Sequence, residues 1–534
     1  MKKRLIAILL CVSLLLTGGT MTAFADEYKP AEQILYRVGE KAIQALAGGI
    51  AALIPTPYSW QTEKQYRKEH DFSPKTYGFT EEYTSEPAWS VGYASRSLQT
   101  GNELTTDCYV GGSLAVGEKK LATQVLDDQK VRTIAMSDGR GITVFASLDA
   151  FGIASTEVQK IRDMLADFAA QNNIKSINLS ALHQHSCVDT YGMNGDLIPA
   201  ILLGGVRNLL GIKNPNGQNE EFMQHLYAMV QESVKEAVAN MKQGKLYYGS
   251  IDAADYIRDK RDPQVIDPNI NRLRFVPDGG GREIWLINLA IHCVGLGAAG
   301  RRVTGDYPYY MEKYINENAN ADFIMIQGAE LAITSDYKLI DDLPLDPELL
   351  EEVDDTGYAR LAAYGAELGK KACAIEDSEE LTPSLKYASQ PYTITTENNV
   401  LLLIAKCGLL TVNIVRSGLG KFKIVSEVGY AEFGDRIAVA IVPGELAPEI
   451  AFGGAMRAAD SWTGTSWDYP AIQDTIRDKK LLVFGLTNDQ TGYMLTDNSW
   501  HSFLCENEEI VSAGPTAGSD FITAFYDLYQ NLPK

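Results

Sequence analysis

Residues 141–186 read GITVFASLDAFGIASTEVQKIRDMLADFAAQNNIKSINLSALHQHS, and three patterns succeed one another within them. The run 141–148 is apolar with only small hydroxyls between, the pattern of a strand buried on both faces. Ser155 or Thr156 then caps a helix carrying Val158, Ile161, Leu165 and Phe168 on one face. Ile174 to Leu179 returns to a strand pattern. Strand, helix and strand in this order make a β-α-β unit, whose two strands run parallel.

The same unit recurs downstream. Ile284 to Ile291 is a second apolar strand, Tyr307 to Asn318 a helix, and Phe323 to Ile326 a third strand. Ile437 to Val442 and Leu481 to Leu486 are two further short strands, and Asn219 to Gln243 is a long helix with Phe222, Leu226, Val230, Val234 and Ala237 at helical spacing. The stretch from Leu385 to Gly429 has β-like runs, notably Val400 to Ala405 and Leu409 to Val415, and is read as antiparallel. The fold class is therefore α/β: a mixed, largely parallel sheet with flanking helices and an antiparallel portion, in one large domain spanning 88–534.

Upstream of that domain the sequence divides twice. Lys2, Lys3 and Arg4, the apolar run Leu5 to Leu16 and the small-x-small site Ala23-Phe24-Ala25 read as a secretory signal peptide over 1–25. The run is shorter than the roughly 18 residues of a membrane span, so an exported, extracellular protein is expected. Residues 26–87 form an N-terminal extension in which Ala31 to Ile54 is a helix with an apolar end. That end can touch a lipid surface as a peripheral contact, but helices of this kind more often dock on their own domain, the preferred reading.

The chain has 534 residues, 45% hydrophobic and 22% charged, the composition of a folded protein. Its formal net charge of -21 repels phosphate backbones and anionic lipid surfaces, so nucleic acid is not an expected partner. Beyond the leader the cysteines are Cys108, Cys187, Cys293, Cys373, Cys407 and Cys505, with no C-x-x-C spacing for a thiolate zinc cluster. Cys187 and Cys293 follow the segments that matter below, and either a disulfide between them or two small buried thiols fits.

Ligands of open α/β sheets bind beyond the carboxyl ends of the strands. Beyond 174–180 stands A-L-H-Q-H-S with His183 and His185; beyond 284–291 stands His292; beyond 437–442 stands Glu445; beyond 481–486 stand Asn488 and Tyr493. If the chain stays extended, His183 and His185 share one face and can share one centre. Two or three imidazoles with a carboxylate suit Zn²⁺ and leave a position for water. His70, His225 and His501 lie in polar surroundings and read as solvated.

The ordered set A-L-H-Q-H-S (181–186), N-L-A-I-H (288–292) with T-G-D-Y-P-Y-Y (304–310), I-Q-G-A (326–329), P-G-E (443–445) and G-L-T-N-D-Q-T-G-Y (485–493) resembles the catalytic domain of neutral, non-lysosomal ceramidases. The resemblance runs in order from about Trp89 to the last residue. It implies one Zn²⁺ held by His183, His292, Glu445 and Tyr493, with His185 beside the metal to hydrogen-bond the substrate carbonyl or leaving amine. It places Thr334 where the family has a serine implicated in catalysis. Two departures stand out: the family's H-T-H-S-G-P is H-Q-H-S-C-V here, and its G-D-V-S-P is L-A-I-T-S at 331–335. The chain also stops where the large ceramidases carry a C-terminal immunoglobulin-like domain.

What the resemblance implies is a zinc amidase that cleaves the N-acyl bond of ceramide or a related small lipid. The altered 331–335 loop keeps open a zinc hydrolase of a different amide or ester, and a non-catalytic binding protein on the same fold is the third reading.

Overall fold

The computed structural model describes residues 30–57, 59–112, 121–194, 197–212, 216–296, 300–501 and 509–533; the leader expected over 1–25 and Cys505 lie outside them. Two sheets dominate. The larger has nine strands, eight in the order Ala321–Gln327, Glu283–Leu289, Asn269–Pro277, Lys242–Asp252, Trp89–Ser97, Lys130–Ser137, Ile142–Leu148 and Ile174–Ala181. The smaller has six, with Leu385–Thr396, Lys421–Phe433, Ile437–Ile441 and Lys480–Phe484 side by side.

Side-chain alternation explains how they stack. Along Ile437–Ile441, residues 437, 439 and 441 face one cluster while Ala438 and Ala440 face another. The shared cluster between the sheets includes Phe145 from the larger sheet and Phe433 and Phe484 from the smaller, with the Phe145 and Phe484 rings 5.4 Å apart at near right angles. Phe145's neighbours Val144 and Ala146 point the other way, toward helices Ser155–Met164 and Glu220–Ala239. Asp306–Asn318 and Thr356–Cys373 cover the other end of that outer face, and Ala517–Gln530 covers the outer face of the smaller sheet. The result is four layers, helices on either side of two stacked sheets.

The α/β class and its mixed sheets agree with the sequence, and the parallel pairs fall where the β-α-β units were read. Ile142–Leu148 pairs with Ile174–Ala181, Glu283–Leu289 with Ala321–Gln327, and Ile437–Ile441 with Lys480–Phe484, all parallel. The strands between them pair antiparallel, so antiparallel pairing extends well beyond the 385–429 region. Apolar runs carry no mark of their partner's direction, which is why this was not legible. Within 385–429, Val400 to Ala405 is helical rather than β: Asn399–Lys406 is capped by Asn398, whose side chain accepts from the amides of Val400 and Leu401. A short run apolar on every side has no period to separate helix from strand.

That helix receives the N-terminal extension. Helix Pro30–Leu53 lays Ala47, Ile50 and Ala51 on Val400, Leu403 and Ile404, so its inner face docks on the domain as preferred above. Lys406 is buried there, and its ammonium donates to the carbonyls of Ala51 (2.9 Å) and Ile54 (3.1 Å), capping the helix end.

A buried ion pair secures the loop that will matter for the site. Arg132, fully buried, bonds Asp149 Oδ1 at 2.8 Å and Glu312 Oε2 at 2.6 Å, joining the strand end before Phe151 to helix Asp306–Asn318. Replacing Arg132 by Ala removes the buried cation between the two carboxylates and leaves Glu312 only the Lys130 ammonium at 3.2 Å and Asp149 the Lys130 amide at 2.8 Å. The expected loss is about 3–5 kcal/mol of unfolding free energy in urea titration, and an unchanged midpoint would show that the pair contributes nothing.

Candidate functional site

The three parallel pairs end on one edge, and the residues just past those ends form the site. Strand Ile174–Ala181 stops two residues before His183, which has φ of 57°, in the left-handed region. His183 and His185 are thus not two positions of an extended strand, yet their ring centroids lie 4.7 Å apart. The left-handed turn, not strand alternation, brings them together. Ala332 (φ 62°), Asp306 (φ 54°), Leu486 (φ 49°) and Asn488 (φ 69°) show the same conformation at neighbouring strand ends. Such conformations cost of order 1–3 kcal/mol each and persist where the surroundings fix them.

Two imidazoles and one carboxylate meet at this edge. His183 Nε2 lies 3.4 Å and His292 Nε2 3.2 Å from Glu445 Oε2, and all three side chains are buried. Behind each ring a main-chain carbonyl fixes its orientation: His183 Nδ1 is 2.9 Å from Phe151 O, and His292 Nδ1 is 2.9 Å from Ile333 O. A carbonyl can only accept, so each Nδ1 carries its proton and Nε2 is the nitrogen each ring turns inward toward Glu445. Glu445 Oε1 accepts from Gln490 Nε2 at 3.1 Å, while Oε2, facing the rings, has no hydrogen-bond donor. An inward set of two imidazole nitrogens and one free carboxylate oxygen is the donor chemistry of a divalent cation site.

Gln327 sets the spacing of the two rings. Its amide donates to Leu182 O (2.9 Å) and Ile291 O (2.7 Å), and its carbonyl accepts from the Ile291 amide (3.2 Å). It therefore clamps the residues that immediately precede His183 and His292. Tyr307 adds a hydroxyl bond to Ile291 O at 2.8 Å.

Glu330 joins the cluster without having been foreseen. Its Oε2 is 2.8 Å from His292 Nδ1, and His183, His292, Glu330 and Glu445 offer ligand atoms within 4.8 Å of one another. Burial alone would depress the His292 pKa, but the Glu330 and Glu445 carboxylates outweigh it and push it up to about 10. Burial would raise the Glu445 carboxyl, yet the His183 and His292 rings hold it below its ordinary range. The signal for Glu330 was the rule that found Glu445, an acid just past a strand end, here masked by reading I-Q-G-A as a strand terminus.

The remaining sequence candidates divide. His185 stands beside the pair, its ring 5.8 Å from that of His292, and ring nitrogens of His183, His185 and His292 lie within 4.8 Å of one another. Burial first, then the charges of His183 and His292, hold its pKa well below the ordinary histidine value, so the ring is neutral at pH 7. Gly112 packs on its backbone at φ 99°, where a Cβ would come within 2.3 Å of His185 Cα. Tyr493 is buried and pairs with Glu445 as its neighbour in a short parallel bridge, Glu445–Leu446 against Tyr493–Met494. Thr334 is buried in strand Ile333–Ser335, one residue past the carbonyl that holds His292. Cys187 and Cys293 are buried free thiols, the second of the two readings: Cys187 Sγ donates to Gln184 O and Cys293 Sγ accepts from Gln327. His70 is exposed as expected, whereas His501 is half-buried and stacked on Trp462.

A cavity of about 170 Å³ opens beside His292. Tyr307, Ile340, Leu361 and Tyr364 give it a largely apolar lining, into which Asp306, Ser335, Asp341 and Arg360 bring polar groups. Burial pushes the Asp306 carboxyl up to about 7 against the backbone amides of Tyr307 and Gly295 that bond it. On the His183 side the surroundings are apolar, with the Phe151 ring 4.5 Å from that of His183 and packed with Ala154, Cys187 and Tyr191.

Among solved structures, neutral ceramidase from Pseudomonas aeruginosa has the same fold, with a TM-score of 0.60 and 15% identity over 84% of this chain and 76% of that one. A ceramidase complexed with C2 matches with the same TM-score, 0.60, and the same identity, 15%. No protein-family profile and no curated protein sequence matches the chain. The likeness at this identity is one of fold.

Because Glu330 supplies charge behind His292, Glu330→Gln is expected to weaken Zn²⁺ binding by about 10–100-fold in competition with a chromogenic chelator. Equal affinity in the variant would remove Glu330 from the cation's environment.

Proposed function

We propose that the protein is a secreted zinc amidohydrolase that cleaves the N-acyl amide of ceramide or a related N-acylated lipid. The observation that carries this reading is the convergence of His183 Nε2, His292 Nε2 and Glu445 Oε2, with both rings locked from behind, on a fold shared with neutral ceramidases. Those three side chains would hold the zinc, with Tyr493 beside Glu445 as the fourth ligand carried over from the resemblance. Zinc held there supplies Lewis-acid polarisation of the scissile carbonyl and acidifies water near neutral pH.

The chain's own residues account for the proton. Hydrolysis adds water across the amide: its oxygen bonds the carbonyl carbon, the C–N bond breaks, and the leaving nitrogen needs a proton. His185, a neutral ring beside His183 and His292, accepts that proton from water and returns it to the amine. Thr334 follows the Ile333 carbonyl and orients substrate or water rather than attacking, since no histidine serves it as a dedicated base. The site's two flanks suit a lipid: Tyr307, Ile340, Leu361 and Tyr364 line much of the cavity that begins at His292, and the apolar cluster of Phe151 begins at His183.

A soluble amide or ester is the second reading, and the charged Asp341 and Arg360 at the edge of that cavity favour it. The non-catalytic reading loses ground because a binding fold has no need to lock two imidazoles toward one carboxylate.

Incubating the purified protein with a fluorescent ceramide, with and without chelator and zinc restoration, separates these. Chelator-sensitive release of fatty acid, restored by zinc and reduced at least about 10²-fold in His185→Ala, is the expected result. Tight zinc binding without release would point to the soluble substrate, and neither zinc binding nor turnover would overturn the hydrolase reading.

A further inference from the structure

We infer that the outer faces of helices Pro30–Leu53 and Leu197–Leu210 together form a docking surface for a lipid bilayer. The inference rests on the reading of the site as a lipid hydrolase for its purpose, but its observations are independent of catalysis.

The first observation is an inverted helix. In Leu197–Leu210 the amide of Asn208 is turned inward, donating to Pro55 O and Lys406 O at 2.9 Å each, and Gly204 is buried one turn before it. Leu203, Val206, Leu209 and Leu210, with Ile212 just beyond, face outward, Leu209 at 74% exposure. A helix that folds against its own domain does the reverse. The same Lys406 caps Pro30–Leu53, so the two helix ends meet where Leu53 is 78% exposed. Of the eleven exposed large apolar side chains among the described residues, eight belong to these two helices and the turn after the second. Scattered single exposures are ordinary; a shared patch is not.

Charge identifies the occupant. No carboxylate occurs in 41–54 or 197–212, although the chain has 69 Asp plus Glu, and the charges these segments do carry are the cations Lys41 and Arg207. Glu32 and Glu40 lie in the first part of Pro30–Leu53; the stretch 41–54 with 197–212 is an apolar face without acids, with Lys41 on its edge, and on a protein of net charge -21 it is the part that suits a membrane surface with phosphate headgroups. No helix among the described residues is long and apolar enough to cross a membrane, so the contact is interfacial.

Position supports the same occupant. Leu410 packs both against the cluster under Pro30–Leu53 and against the cluster of Phe151, whose ring adjoins His183 and His185. Apolar packing is therefore continuous from the docking face to the apolar flank of the site. A substrate drawn from the bilayer would arrive where its acyl chain is matched.

The test is co-sedimentation of the full chain with phosphatidylcholine vesicles containing a minor share of phosphatidylglycerol, read without any hydrolysis. The double variant Leu209→Glu with Leu210→Glu is expected to partition at least about tenfold less, with an unchanged thermal midpoint. Leu419→Glu, at an exposed apolar position away from both helices, is expected to bind like the parent. The inference is overturned if the parent does not bind vesicles, if the double variant binds equally, or if light scattering shows a parent dimer that the double variant dissolves. Vesicle binding without ceramide turnover would leave docking standing and count against the hydrolase reading; turnover of detergent-dispersed ceramide without vesicle binding would do the opposite.

Discussion

Phe151 and Ile333 each present a main-chain carbonyl to the Nδ1 of a histidine, and the site follows from those two bonds. A buried imidazole free to rotate or change tautomer offers either nitrogen to its surroundings. Tied from behind, it offers one. The fold is organised to keep those carbonyls in place: Arg132 holds Asp149, two residues before Phe151, and the Ile333 carbonyl is fixed in turn by the His292 amide at 3.0 Å. Gln327 then sets the separation of the two histidine-bearing strand ends through three bonds.

The same arrangement concentrates charge. Glu330 and Glu445 flank His292, and the field that pushes its pKa up to about 10 would equally attract a divalent cation. His185 sits outside that field's benefit, desolvated and next to two other rings, and stays neutral. One cluster thus provides a position that favours positive charge and, beside it, a base that resists protonation.

Much of this was legible in the sequence, for local reasons. Two of the parallel pairs are announced by an apolar run, an amphipathic helix and a second run, the third only by its two apolar runs, and the rule that ligands gather past strand ends led to His183, His185, His292, Glu445 and Tyr493. What escaped depends on contacts between distant segments. The stacking of the smaller sheet on the larger is written only in which of two alternating faces is more apolar, and both faces of Ile437–Ile441 are apolar. His183's left-handed turn has no sequence mark, because only a small share of non-glycine residues adopt it and nothing local says which. Gln327 stood inside the I-Q-G-A motif without a role, and Glu330 stands one residue past it. Helix Leu197–Leu210 is apolar on nearly every residue, so its sequence cannot say which side meets the protein; Asn208's two bonds do.

The central claim is that His183, His292 and Glu445 hold one divalent cation. Anomalous diffraction at the zinc edge from crystals grown with Zn²⁺ tests it most directly. The account requires a single strong peak within bonding distance of His183 Nε2, His292 Nε2 and a Glu445 oxygen; a peak elsewhere with none at this position, or an imidazole ring turned to present Nδ1, would contradict it.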